Sequence, residues 1–362
     1  MTRTFSHSLW AVGALIILCV GVFLFSHRAG ATAPVEIRWF VAHQPSSVFI
    51  RAEKQLAEEL LKQSGSAYSV TFLTPEDMGF EGNVSPQAII DLLRDGKVDL
   101  VSLNVDNIIA LEKSKAPNTP IDLEVLHLPY LFNDYASADK VLDGPVGSEL
   151  LGLLNKTVPA HALAFTYSGG FRVIASTNPV STVADLKGQR INTWGSQTMQ
   201  KSLASLGMTP VPVATIGGGK DLIDSGSSDG VEMTYTRADE AIGTDVKSIL
   251  ETNHVLFLST LLASDSFYNS LSDSAKKVLD SAAVTAAQTE RADSIALNEQ
   301  VRNSLIARGV IVSPLSANDR AALQKWGSDF RAAFGMTASM RALPFVTSRS
   351  SSWTTAISKK RE

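Results

Sequence analysis

The residues able to do chemistry in this chain favour reversible binding over catalysis. Six histidines, His7, His27, His43, His127, His161 and His254, fall at no metal-ligand spacing such as His-Glu-x-x-His. Gly226-Ser227-Ser228-Asp229-Gly230 fits the Gly-x-Ser-x-Gly pattern, but it leads into the strand read over Gly230–Thr234 and does not turn from a strand into a helix, so it is no elbow for a nucleophilic serine. Gly217-Gly218-Gly219-Lys220 has the glycines and lysine of a phosphate cradle, but Asp221 stands where the pattern needs Ser or Thr. The single cysteine, Cys19, sits inside an apolar run, which leaves the body without a thiol nucleophile, a disulfide or a cysteine metal site. Acids occur in pairs, yet none shares a short motif with a nucleophile or a metal-binding histidine. The remaining polar groups of interest sit at strand ends. Amides there donate and accept hydrogen bonds without charge, and a tryptophan offers a face for stacking. No cofactor is expected, and an exported enzyme is the remote alternative.

The elements that must position these groups alternate. Val35–His43 reads as a strand rich in β-branched and aromatic residues. A helix follows, with Phe49, Leu56, Leu60 and Leu61 on one face and Ser46 or Ser47 as its cap. Tyr68–Leu73 is a second strand. Ser85-Pro86 opens a helix that buries Ile89, Ile90, Leu92 and Leu93 and ends at Asp95-Gly96, and Val98–Leu103 is a third strand. This order predicts an α/β domain with a mainly parallel sheet. The second half repeats the style, with strands over Ala162–Tyr167, Arg172–Ser176, Arg190–Thr193 and Gly230–Thr234 and a helix over Thr198–Leu206. From Ser272 to Ala307 runs a near-continuous helical pattern with no proline.

The chain has 362 residues, enough for two domains that each bury a core. Its formal net charge is -4; residues 1–33 hold Arg3 and Arg28 and no acid, so the remainder is more acidic still. A mildly acidic body excludes the basic face that nucleic-acid binding requires. Leu9–Phe25 is an unbroken apolar or small stretch behind Arg3, which reads as an export signal. Ala29-Gly30-Ala31 and Ala31-Thr32-Ala33 are candidate cleavage sites, and Pro34 makes the second the poorer one. The segment is either cleaved or retained as an N-terminal anchor. Both place the body outside the cytoplasm, in the periplasm. Lipidation of Cys19 is disfavoured by Leu18 before it.

Several strings, in order, resemble the extracytoplasmic solute-binding proteins of tripartite ATP-independent periplasmic (TRAP) transporters, the DctP-like family. They are Leu128-Pro129-Tyr130-Leu131-Phe132, Asp143-Gly144-Pro145-Val146-Gly147, Gly170-Phe171-Arg172 with Asn178-Pro179-Val180, Asp185-Leu186-Lys187-Gly188-Gln189-Arg190-Ile191, Leu206-Gly207-Met208-Thr209-Pro210-Val211-Pro212 and Gly226-Ser227-Ser228-Asp229-Gly230-Val231-Glu232, with Asn253-His254 beyond. The resemblance implies a two-lobed periplasmic-binding-protein-like fold with mixed sheets flanked by helices, a hinge between the lobes and a long C-terminal helix bracing both. Lobe one would be residues 34–168 plus about 253–290. Lobe two would be 169–252 plus about 291–336, with 1–33 as signal or anchor and 337–362 as a polar tail. It implies a monomer that passes a small solute to an integral-membrane permease. A membrane-tethered sensor or accessory domain of the same fold is the alternative.

The resemblance also implies where solute would bind. Relatives commonly hold a carboxylate in an arginine fork, which suits the two parallel hydrogen bonds a guanidinium donates. Here Arg172 matches the family's Gly-x-Arg element and is the candidate anchor; the alternative is a structural arginine pairing backbone or an acid at the lobe boundary. The usual second arginine is replaced by Asn192, which carries no charge. Asn104 and Asn107, after the third strand, stand where relatives carry charged contacts. Trp194, Glu232, Tyr235 and His43 complete the candidate set at strand ends. The expected solute is small and polar, with at most one anchored carboxylate.

Overall fold

The computed structural model describes residues 35–42, 46–64, 68–81, 84–115, 122–194, 197–213 and 216–334. The apolar run with Cys19, both candidate cleavage sites, His43 and the C-terminal tail lie outside the described residues. Among the described residues, no helix is long and apolar enough to cross a membrane.

Two mixed sheets flanked by helices form the protein. The first is built from β1 (Val35–Val41), β2 (Tyr68–Leu73), β3 (Leu100–Asn104), β4 (Ala160–Phe171) and a later strand, β10 (Leu256–Ser264), in the order β2-β1-β3-β10-β4. β1 and β3 are parallel, and β10 runs antiparallel to both β3 and β4. The second holds β5 (Val173–Ser176), β6 (Arg190–Thr193), β7 (Thr209–Pro212), β8 (Gly230–Met233), β9 (Ser248–Glu251) and β11 (Ile311–Pro314), in the order β11-β9-β5-β8-β6-β7. β6 is parallel to β7 and β8, while β5 is antiparallel to β8 and β9.

Local chemistry explains the helices between these strands. α1 (Ile50–Ser64) buries Ala52, Leu56 and Leu60, and α2 (Pro86–Arg94) starts on a proline and is capped by Ser85 Oγ, which accepts from Ala88 N. α3 (Val105–Lys115) follows β3 directly, and Asn104 Oδ1 accepts from Asn107 N at 2.8 Å. α4 (Tyr135–Leu142) carries a capping box on Asp134 and Ser137, and α5 (Pro145–Thr157) again begins with proline. In the second half, α6 (Gln197–Ser205), α7 (Ile216–Asp224) and α8 (Tyr235–Ile242) alternate with the strands.

One Arg–Asp fork recurs in both sheets. In the first, Arg38 of β1 donates from N and Nε to Asp99 Oδ2 and from Nη2 to Oδ1, at 2.8 to 2.9 Å, while Asp99 N returns a bond to Arg38 O. In the second, Arg190 of β6 does the same to Asp229, at 2.6 to 3.0 Å, and Asp229 N donates to Arg190 O. Each Asp immediately precedes the strand parallel to its arginine, so the fork pins the register of Trp39 on Leu100 and of Ile191 on Gly230.

The chain passes from the first sheet to the second at Arg172 and returns between Glu251 and Leu256. Arg172 N donates to Val255 O at 2.8 Å and so ties the two crossings together. Both need unusual backbone: Gly169 and Gly170 have φ of 127° and 86°, and Asn253 has 47°. A Cβ on Gly170 would lie 2.2 Å from Tyr135 Oη, so only glycine fits there.

After the short α9 (Asp265–Ser270), α10 (Asp273–Ala307) runs for 35 residues from its Ser272 cap. Ala282, Ala283, Ala286 and Ala287 let it lie close to its neighbours. Polar side chains on the same face bond to both sheets. Glu290 Oε2 accepts from Tyr167 N, Ser294 Oγ from Gly169 N, and Arg291 donates to Phe165 O, all on β4. Further along, Asn298 Oδ1 accepts from Tyr235 N and Arg302 donates to Glu251 Oε1, on the second sheet's side. The helix therefore braces both sheets. Finally, α11 (Ala317–Ala333) sets Trp326 edge-on to Tyr130.

Two readings are adjusted. The sequence suggests a strand ending at Tyr167, whereas β4 continues to Phe171 through its two left-handed glycines. It assigns no strand to Leu256–Ser264, which is a central strand buried on both faces and hence has no polar alternation to detect.

Candidate functional site

The polar side chains gathered at the two crossings form a chain of charges in an otherwise apolar interior. Arg172 is completely buried. Its Nη2 donates to Asp106 Oδ2, and its Nη1 donates to Glu232 Oε2 at 3.1 Å. Asp106 stands in the first turn of α3, beyond the end of β3, and Glu232 stands on β8. One carboxylate thus comes from the first sheet's side and the other from the second, with the arginine at the crossing between them. Asp106 Oδ1 lies 2.7 Å from His127 Nε2. Glu232 Oε2 also accepts from Thr193 Oγ1 at 3.1 Å. On the second crossing, His254 places Nε2 3.3 Å from Glu232 Oε1, and its Nδ1 meets Thr252 Oγ1 at 2.9 Å. The Arg172 guanidinium also lies over the Phe257 ring, 4.8 Å from its centroid.

The electrostatics follow from this packing. Burial pushes the Asp106 carboxyl upward, but the Arg172 guanidinium and then His127 outweigh it and hold the group at about 2. Burial works against the charged form of Arg172 as well, and the Asp106 and Glu232 carboxylates more than compensate, raising its value. Two atoms of the cluster remain unsatisfied. Arg172 Nε has no acceptor, and Glu232 Oε1 has no aligned donor, although the His254 ring is within ion-pair range. Buried polar atoms of this kind are uncommon and call for an explanation. Among the described residues, no three His, Cys, Asp or Glu are grouped so as to hold a metal ion.

Of the residues singled out in the sequence, the cluster contains Arg172 and Glu232. Asn192 precedes Thr193 on β6, so alternation turns it to the opposite face from the Thr193–Glu232 contact. There its Nδ2 donates to Gly219 O of α7 at 2.8 Å, and its Oδ1 is left without a donor. Trp194 packs on the same α7 glycine: a Cβ on Gly219 would lie 3.3 Å from both side chains. Tyr235 belongs to that apolar face too, and its hydroxyl donates to Glu251 Oε1 at 2.7 Å. Asn104 is engaged in the turn into α3 together with Asn107. His43 lies outside the described residues.

Sequence reading passed over Asp106, His127, Thr193 and His254 as contacts. Asp106 did carry a signal. It lies three residues before Ile109, on the buried side of a helix whose other inward residues are Val105 and Ile108. An acid at that position requires a buried partner.

Comparison with known proteins gives these features a context. The family model described as bacterial extracellular solute-binding protein, family 7, matches residues 42–330. The 2,3-diketo-L-gulonate-binding periplasmic protein YiaO of Escherichia coli is 34% identical over 127 residues, which is 35% of this chain and 36% of that protein. That match spans about a third of the curated relative's length. Among solved structures, a TRAP periplasmic solute-binding protein from Ochrobactrum anthropi superposes with a TM-score of 0.71 at 24% identity, covering 85% of this chain and 92% of that one. Another, from Xanthobacter autotrophicus with bound β-D-galacturonate, gives 0.68 at 22% identity, covering 85% and 97%. At these identities the structural likeness shows the fold.

Proposed function

The chain belongs to the bacterial extracellular solute-binding proteins of family 7, the TRAP-type solute-binding proteins, and from that premise we propose that it captures a small polar solute between its two sheets and delivers it to a TRAP permease. In this reading lobe one comprises residues 34–168 with about 253–290, and lobe two comprises 169–252 with about 291–336. The hinge is the pair of crossings at Arg172 and at Asn253. The protein acts as a monomer, binds without chemical turnover and works in the periplasm, with residues 1–33 as signal or anchor.

The observation that carries this reading is the buried charge cluster at the crossings, in which Arg172 Nε and Glu232 Oε1 are unsatisfied. A polar solute that donates to the carboxylate and accepts from the guanidinium would repair both defects. Of the proteins compared above, that of Escherichia coli is named for a sugar acid and that of Xanthobacter autotrophicus holds one, so the solute is sought among organic acids, sugar acids and their uncharged analogues, with at most one carboxylate anchored directly.

The test is a thermal-shift screen with organic acids, sugar acids, polyols and neutral osmolytes. A true ligand at 100 times its dissociation constant adds roughly 2.7 kcal/mol, a clear rise in Tm. Calorimetry should then show one site per chain and mass analysis an unchanged ligand. Catalytic recovery of an altered ligand, or a protein that responds to no member of the panel, counts against the proposal.

A further inference from the structure

We propose that Asp106 is a built-in carboxylate occupying the place on Arg172 where a solute carboxylate would dock, so that this site selects a polar solute that presents Arg172 with no anionic group. The inference rests on reading the cluster as the solute site.

The first argument is geometric. A guanidinium grips a carboxylate with two parallel N–H groups. In Arg172 both Nη atoms are engaged by protein carboxylates, Nη2 by Asp106 and Nη1 by Glu232. Nε alone has no acceptor, and a fork built on it would have to share an Nη atom that a protein carboxylate already holds. Asp106 is itself held from two sides, because His127 Nε2 meets its other oxygen at 2.7 Å. A solute carboxylate would have to evict a side chain that is anchored independently of the arginine.

The second argument is charge. Arg172 contributes one positive charge, and Asp106 and Glu232 contribute two negative ones. His127 Nε2 and His254 Nε2 each face one of those carboxylates. Counted over its guanidinium and carboxylates alone, the cluster already carries one net negative charge, and Arg172 and Glu232 are wholly buried. A second buried anion would be unpaired there, which is costly. Asp106 is firmly ionised: it lies in the first turn of α3, and the adjacent guanidinium keeps its carboxyl near 2.

The third argument is complementarity. The open groups are one donor, Arg172 Nε, and one acceptor, Glu232 Oε1. Hydroxyl, amide and ammonium groups all supply a proton for Glu232. Hydroxyl and amide oxygens also accept from Arg172. A carboxylate can serve Arg172 alone and is repelled by Glu232.

Formate tests the central element without knowledge of the solute. Asp106→Ala removes the built-in carboxylate and leaves a space bounded by Arg172 and His127. Thermal unfolding is followed in sodium formate, with sodium chloride at equal ionic strength as the control. Formate should raise the Tm of Asp106→Ala by several degrees over chloride, while wild type and Asp106→Asn, whose side chains fill the space, respond alike to both salts. An equal formate response in wild type would overturn the proposal, because Arg172 would then already be open to carboxylates. No response in Asp106→Ala would overturn it too. Should that variant not fold, Asp106→Ser, whose shorter side chain also leaves the space open, carries the test. Its thermal response to D-glucuronate relative to D-glucuronamide should rise about tenfold in apparent affinity over wild type, or about 1.4 kcal/mol. An unchanged ratio, or no glucuronate response in either protein, would overturn it. D-glucose and D-glucosamine then separate uncharged from cationic solutes. Formate rescue involves no solute, so its failure leaves the solute-binding reading standing, and an unproductive solute screen leaves the rescue interpretable.

Discussion

The two sheets share one device and differ in another. Each pairs its parallel strands through an Arg–Asp fork, Arg38 with Asp99 and Arg190 with Asp229, with the same atoms bonded in the same order. Three residues past the aspartate of each fork the likeness ends. Relative to Asp99 and Asp229, Ser102 of β3 corresponds to Glu232 of β8. Ser102 accepts from Trp39 Nε1 at 3.0 Å and completes a neutral, satisfied contact. Glu232 instead meets Arg172 and Thr193 and leaves an oxygen unsatisfied. The forks lie partly in solvent and hold register. The cluster is wholly buried, costly to form and incompletely bonded, which marks it as the candidate site.

The largest test of that contrast is Arg172→Ala. It strands Asp106 and Glu232 without a counter-ion in the interior and should cost about 3 to 5 kcal/mol in urea unfolding. The loss is one of folding, so binding assays on this variant must be read beside its stability. A cost no greater than that of breaking a fork would erase the distinction between the two regions.

Next come the crossings. Gly170→Ala places a methyl against Tyr135 Oη on backbone that L-residues avoid. It should cost about 2 to 3 kcal/mol. Gly79→Ala is the matched control, since Gly79 also has positive φ, at 76°, but nothing lies within 4 Å of an added Cβ. It should cost about 1 kcal/mol. Equal costs would mean that the crossing is not tightly packed.

Acid titration probes Asp106 directly. Its folded value, about 2, lies below the ordinary 3.8, so the ionised form favours the folded state. The contribution is complete above pH 4 and disappears as pH falls through about 2, where both states bind the proton. The shift corresponds to roughly 2 kcal/mol. The stability gap between wild type and Asp106→Asn should narrow by about that amount from pH 6 to pH 2, as read from urea midpoints. A gap independent of pH would contradict the assignment.

The smallest effect belongs to the forks. Arg38→Ala should cost about 1 kcal/mol, as expected for a partly exposed bidentate pair. Arg190 is the more exposed of the two arginines, and Arg190→Ala should cost no more than Arg38→Ala does.

Much of the framework was legible because local rules determine it. Ser272, the absence of proline and the alanine-rich run locate the long helix to within a residue at its start. Ser85-Pro86 locates α2 in the same way. β10 was illegible because a strand buried on both faces shows no alternation. The candidate site was only half legible. Arg172 and Glu232 stood in recognisable strings, but their partnership spans 60 residues of chain and that of Arg172 with Asp106 spans 66. Such pairs are set by how the crossings bring the sheets together, which no local pattern encodes. Asn192 was misleading for a related reason. Its place in the string suggested a partner for Arg172, yet strand alternation carries its amide to the opposite face, onto Gly219.

The most direct test of the central claim is hydrogen–deuterium exchange with and without the solute that gives the largest thermal shift. If the crossings carry the site, peptides covering residues 104–107, 170–173, 230–235 and 252–256 gain protection on binding, while the peptide carrying the Arg38 side of the first fork stays unchanged. Protection confined to the forks or the outer helices, with the crossings unaffected, would contradict the account.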